Sequence, residues 1–209
     1  MRLAMIGAGN VGSALGGAWL RVGEDVVFGV PDPGSAKYRT LPQDRLRQPA
    51  AAARDAEVIV LATPWPATES AVKGLGDLGG KILIDCTNPL GMGADGLELV
   101  LGYRTSAGEQ VASWAPGATV FKSFNQTGAE SMERASSFAV KPVMFVAGDD
   151  EAKKPIVLEL VAKIGFDAVD AGPLRNARLL EPFGMLWIDQ ALKRGRGTAF
   201  AFAVTRRGT

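Results

Sequence analysis

Histidine is absent from the 209-residue chain. That excludes Ser-His-Asp and Cys-His catalysis, histidine-liganded metal sites and any histidine proton relay. The single cysteine, Cys86, forms no internal disulfide and builds no zinc or iron–sulfur site, and this usage fits a reducing cytoplasm. Charge of one sign is also missing. Lys plus Arg number 23 and Asp plus Glu 22, for a net charge of +1, so no basic surplus exists to hold nucleic acid or an anionic membrane. No apolar run approaches the ~18–20 residues of a membrane span. Arg2 is followed directly by a strand-like run, so no signal peptide is expected. No internal repeat, low-complexity tract or interdomain linker interrupts the chain, and residues 1–209 read as one domain.

Glycine, in contrast, is plentiful: 26 residues, above the usual ~7%. Apolar runs at Arg2–Ile6, Asp25–Val30, Glu57–Ala62, Lys81–Asp85, Thr119–Phe124, Pro142–Ala147 and Phe166–Asp170 read as strands. Thr198–Val204, which alternates weakly, is a candidate last strand. Helical periodicity runs over Asn10–Val22, Pro64–Leu75, Ala152–Ile164 and Asn176–Lys193, with shorter pieces at Ala50–Ala56 and Glu109–Trp114. Residues 31–49 are expected to form a mobile surface loop, and 88–108 a long loop. The alternation predicts a doubly wound, mostly parallel α/β sheet of Rossmann type, closed by a C-terminal helix.

Gly7-Ala8-Gly9-Asn10-Val11-Gly12 is G-x-G-x-x-G, directly after the first strand and opening the first helix. Gly7 permits the tight turn, Gly9 lets a pyrophosphate approach the backbone, and Gly12 allows close helix–strand packing. The free N–H groups of the helix start face the anion. At the end of the second strand stand Gly29 and Val30, where an NAD site usually places an acid. This leans toward NADP, with Lys37 and Arg39, and Ser35 between them and the strand, as candidates for the 2′-phosphate.

A carbonyl reductase needs a proton donor beside the hydride acceptor. Tyr-x-x-x-Lys fails, because Ala107 lies four after Tyr103 and Pro42 four after Tyr38. After Gly172 the chain offers Arg175 and Arg178 but no lysine, and arginine is a poor general acid. Hydride exchange between two activated rings escapes the requirement, since stacking and orientation are its main needs.

The blocks M-I-G-A-G-N-V-G at 5–12, L-A-T-P-W at 61–65, I-D-C-T-N-P-L at 84–90, F-K-S-F-N-Q-T-G-A-E at 121–130 and D-A-G-P-L-R-N-A-R at 170–178 resemble the coenzyme F420-dependent NADP oxidoreductase family. The chain is also similar to the reductase domain of the STEAP metalloreductases. The resemblance implies that Thr63, Pro64 and Trp65 lie along the pyrophosphate and ribose, and that Asn88 and Pro89 border the nicotinamide. It further implies that Phe124, Asn125 and Gln126 lie where the nicotinamide meets the second ring, with Asn125 positioning the rings. Three departures stand out: Pro31 where many relatives carry arginine, Gln126 in place of a threonine, and Asn125 where the archaeal deazaflavin enzymes carry a histidine.

The expected function is therefore NADP(H)-dependent transfer of a hydride to or from a flavin (FMN or FAD) or deazaflavin (coenzyme F420). The alternatives are an imine or ketone reductase and a dinucleotide-binding redox sensor without turnover. Segment 88–103, with Gly91, Gly93, Gly96 and Gly102, is expected to act as a lid, and Arg104 and Arg175 to meet an anionic tail on the acceptor. Leu179, Leu180, Phe183, Met185, Leu186, Trp187, Ile188 and Leu192 surround much of the last helix and predict a homodimer. No metal, nucleic-acid or membrane partner is expected.

Overall fold

The computed structural model describes residues 1–205 and 207. Strand β1 (Arg2–Ile6) is buried from Leu3 onward and pairs on both sides with parallel strands. Helix α1 (Asn10–Arg21) follows, then β2 (Asp25–Gly29), β3 (Leu46–Arg47), α2 (Pro49–Arg54), β4 (Val58–Leu61), α3 (Trp65–Lys73) and β5 (Ile82–Asp85). A hairpin of β6 (Leu90–Gly93) and β7 (Gly96–Leu99) comes next, then α4 (Ala107–Trp114), β8 (Thr119–Lys122), α5 (Ala129–Glu133), β9 (Val143–Gly148), α6 (Lys154–Lys163), β10 (Asp167–Asp170) and α7 (Ala177–Ile188). The eight-stranded sheet runs β10-β9-β8-β5-β4-β1-β2-β3. It is parallel from β3 through β8. Strand β9 joins β8 antiparallel and β10 pairs parallel with β9.

Alternate side chains of the strands enter two cores. One face, with Leu3, Met5, Val60, Ile84 and Phe121, packs against α1 and α6. Here the Trp19 indole donates to the Leu160 carbonyl at 3.0 Å, tying the two helices together. The other face, with Ala4, Ile6, Ile59, Leu61 and Leu83, meets α2, α3 and α4. Both sheet faces are thus covered, which is why the strands read as continuous apolar runs.

Four local expectations are corrected. Segment 31–49 is ordered by two 3₁₀ turns (Ala36–Tyr38 and Gln43–Arg45) and β3, with Tyr38 and Leu46 buried as its anchors. Segment 88–108 holds the β6–β7 hairpin. It ends in an N-cap in which the Ser106 hydroxyl accepts the Glu109 N–H at 3.2 Å and donates to the Glu109 carboxylate at 2.7 Å. The last helix ends at Ile188 in a π turn over Asp189–Lys193. The candidate strand at 198–204 is an irregular strap. The Phe202 carbonyl accepts the Val143 N–H at 2.9 Å, and Phe200 stacks on Trp187 at 5.3 Å.

Candidate functional site

The carboxyl ends of β1, β4 and β5 open into a cavity of about 870 Å³. Its size suits a large cofactor, since ligand cavities run roughly 300–1,000 Å³. Gly7, Gly9, Asn10 and Val11 form its floor at the start of α1, and no side chain caps that helix. The first N–H groups of α1 are therefore left for a ligand.

The three glycines of the turn serve different ends. Gly7 has φ +95°, and a Cβ there would lie 2.6 Å from the Ala62 carbonyl oxygen. A Cβ on Gly12 would lie 1.9 Å from the Gly7 carbonyl oxygen, so Gly12 closes the turn on itself and sits beneath the cavity floor. Gly16 also lets α1 pack closely on the sheet, since a Cβ there would lie 2.4 Å from the Phe28 ring. At Gly9 nothing stands within 4 Å. Close contacts within the protein thus require glycine at positions 7 and 12, whereas Gly9, the N-cap of α1, leaves open space on the cavity floor.

One end of the cavity is lined by Gly29, Pro31, Lys37, Tyr38 and Pro49. The exposed Lys37 ammonium lies 5.5 Å from the centre of the Tyr38 ring. Ser35 is not on the wall and caps the 3₁₀ turn, its hydroxyl accepting the Lys37 N–H at 3.4 Å. Arg39, at the far end of that turn, is exposed and is not on the wall either. The side wall carries Thr63, Pro64 and Trp65. Thr63 and Thr68 share a hydroxyl hydrogen bond of 3.0 Å, and Trp65 rests against Trp114 at 5.5 Å.

The other end is formed by Cys86, Thr87, Asn88 and Leu90. Pro89 is buried between its lining neighbours. Burial, and then the Asp85 carboxylate, hold the Cys86 thiol well above its ordinary pKa, so it stays protonated. Asn88 is fixed from below. Its Nδ2 donates to the Asn125 carbonyl at 2.8 Å, and its Oδ1 accepts Asn125 Nδ2 at 3.0 Å.

The 124–126 block lies behind this wall rather than on it. Phe124 adopts φ +59° and its ring is fully buried, edge-on to Trp19 at 5.4 Å and to Phe166 at 6.2 Å. Asn125 spends its second amide hydrogen on the Leu180 carbonyl of α7 at 2.9 Å, and its Oδ1 accepts Gln126 Nε2 at 3.2 Å. Gln126 continues the β8–β9 ladder with a side chain. Its Oε1 accepts the Phe145 N–H and its Nε2 donates to the Phe145 carbonyl, both at 3.0 Å. Arg104 and Arg175 are exposed and not on the cavity wall.

Sequence reasoning missed a buried charge cluster under the same end. Lys122 Nζ donates to Asp85 at 2.8 Å and to the Thr87 carbonyl at 2.6 Å, and pairs with Glu181 at 3.0 Å. All three side chains are at most 1% exposed. Burial alone lowers the Lys122 pKa, but the two carboxylates outweigh it, and the net shift is upward. Glu181 also accepts the Ala107 and Gly108 N–H groups at the start of α4, at 3.0 and 3.1 Å. The sequence did carry a signal: lone charges of opposite sign inside the apolar runs I-L-I-D, V-F-K and L-L-E.

Known proteins share this architecture. The family described as NADP oxidoreductase, coenzyme F420-dependent, matches residues 2–89. The F420-dependent NADP reductase of Methanothermobacter marburgensis is 29% identical over 210 residues, spanning 92% of this chain and 93% of that protein. Metalloreductase STEAP3 of Rattus norvegicus is 28% identical over 182 residues, or 86% of this chain, which spans only 36% of that longer protein. The crystal structure of a candidate F420-dependent NADP reductase from Arthrobacter sp. FB24 superposes with a TM-score of 0.89 at 30% identity, covering 99% of this chain and 100% of that one.

Proposed function

Since the chain belongs to the coenzyme F420-dependent NADP oxidoreductase family, we propose that it transfers a hydride between NADP(H), held over the glycine turn, and a flavin or deazaflavin acceptor. The observation that carries the reading is the start of α1 on the cavity floor, where no side chain caps the helix and Gly9 leaves open space over its N–H groups. Bound NADPH supplies the hydride; the chain supplies binding, orientation and exclusion of water.

The α1 start with Gly9, Asn10 and Val11 receives the pyrophosphate, and Lys37 the 2′-phosphate. Asn88, held rigid by Asn125, borders the ring end. Among the described residues on the wall, the groups that carry a titratable proton are Lys37, Tyr38 and Cys86. Lys37 and Tyr38 sit at the opposite end from Asn88, and the Cys86 thiol is a weak acid. A flat, already activated acceptor suits such a wall better than an alcohol or ketone that needs a proton. The test is NADPH oxidation with FMN, FAD and deazaflavin, against a control without acceptor. Oxidation that depends on one of these acceptors is expected; oxidation with a ketone or imine alone would overturn the reading.

A homodimer is part of the proposal. On α7 and the turn after it, Leu180 and Trp187 point inward, while Leu179 and Leu192 are each 67% exposed and Leu186 48%. Such a stripe suits a second copy. Light scattering is expected to give twice the monomer mass, and the monomer mass would refute it.

A further inference from the structure

We infer that Thr87 is the residue that hydrogen-bonds the nicotinamide end of the dinucleotide, an inference that rests on the dinucleotide reading above. Thr87 follows β5 on the cavity wall and is 3% exposed. Its three polar groups are unequally served. The backbone N–H donates to Asp85 Oδ1 at 2.9 Å, and the backbone carbonyl accepts Lys122 Nζ at 2.6 Å. The side-chain hydroxyl has no partner at all.

Buried polar groups in proteins are nearly always paired, and an unpaired one is costly enough to call for a reason. The two backbone bonds come from the members of one buried ion pair, Asp85 and Lys122, which are themselves 2.8 Å apart. The peptide of Thr87 is therefore clamped from both sides, while its side-chain hydroxyl is left without a partner. Asp85 and Lys122 act here as positioning residues.

The neighbouring polar side chains on the wall are already engaged: Asn88 with Asn125, and Thr63 with Thr68. Thr127 carries the other unpartnered buried hydroxyl among the described residues, but it is not on this wall. A threonine hydroxyl both donates and accepts, and a rotamer step of about 120° about χ1 exchanges its place with the methyl group. The carboxamide of nicotinamide, which offers an N–H₂ and a carbonyl, matches such a donor–acceptor hydroxyl at the ring end.

Thr87→Val keeps the shape and removes the hydroxyl, and Thr87→Ser keeps the hydroxyl. The Tm of both without ligand is read alongside Kd for NADPH and for 2′,5′-ADP, which lacks the nicotinamide. Thr87→Val is expected to hold or raise Tm, to weaken NADPH about three- to tenfold, and to leave 2′,5′-ADP unchanged. Thr87→Ser is expected to bind NADPH within about twofold of the parent protein. Unchanged NADPH affinity in Thr87→Val would overturn the inference. So would equal weakening of both ligands, or a serine variant as weak as the valine one. If the unmodified protein bound 2′,5′-ADP and NADPH equally poorly, the dinucleotide reading itself would fall, a result distinct from any of these.

Discussion

Asn88 and Asn125 exchange hydrogen bonds across the ends of β5 and β8, Nδ2 of Asn88 to the Asn125 carbonyl at 2.8 Å and Nδ2 of Asn125 to Asn88 Oδ1 at 3.0 Å. Helix α7 closes on this pair. A Cβ on Gly184 would lie 2.5 Å from the Asn125 carbonyl oxygen and 3.0 Å from Asn88 Oδ1, and the Leu180 carbonyl takes the remaining hydrogen of Asn125. The ring end of the cavity is thus held in place by an internal polar network rather than by the ligand.

Asn125→Leu is therefore expected to act first on stability. It deletes three hydrogen bonds, two of them buried, and strands their partners, at a cost of about 2–4 kcal/mol. Thermal unfolding followed by circular dichroism checks this, and an unchanged Tm would show that the network contributes nothing. Loss of turnover in this variant is expected to accompany the loss of stability.

The glycine turn separates folding from binding. Gly9→Ala adds a methyl group to open space at a backbone φ of −78°, so stability is expected to fall by no more than about 1 kcal/mol, the N-cap preference for Gly over Ala. Affinity for NADPH should fall about tenfold or more, because the methyl occupies the pyrophosphate's approach. Gly12→Ala should do the reverse first and destabilise the fold through the Gly7 carbonyl. Fluorescence titration together with thermal melting reads both effects. A Gly9→Ala protein with normal NADPH affinity would contradict the assignment.

Selection of NADPH over NADH is expected to rest on Lys37. Lys37→Ala should cost about tenfold or more in NADPH affinity and leave NADH nearly unchanged, as expected for loss of one charge-assisted contact. Arg39→Ala should change neither, since that side chain is not on the wall. Titrations of both variants with both cofactors decide it, and an Arg39 effect equal to that of Lys37 would place the phosphate elsewhere.

The parallel order of the first strands and the glycine turn were legible because each follows from a local pattern with a fixed mechanical meaning, whereas Thr63, Pro64, Trp65 and Asn88, which line the same cavity, were named from the family resemblance. The hairpin at 90–99 was not, because its glycines hide the period-two alternation that marks a strand: Gly91, Gly93 and Gly96 have no side chain to count. Nor was the place of 124–126. The polar pair after an apolar strand suggests a ligand site, yet Asn125 binds α7 and Gln126 extends the β8–β9 ladder. Those partners lie 55 and 19 residues away, and no local pattern shows them. Lys122 was hidden for the same reason, since its partners Asp85 and Glu181 meet only once β5, β8 and α7 have assembled.

Direct hydride transfer is the central claim, and label transfer tests it most directly. The protein is mixed with deazaflavin and NADPH carrying deuterium at the reacting carbon of the nicotinamide, in ordinary water. Mass spectrometry then reads the reduced deazaflavin, whose new bond to hydrogen is on carbon and keeps its label. The account predicts a product that carries the deuterium, with each of the two faces of the nicotinamide labelled in turn and only one of them transferring. An unlabelled product from both labelled forms, with NADPH consumed at the same rate, would contradict it.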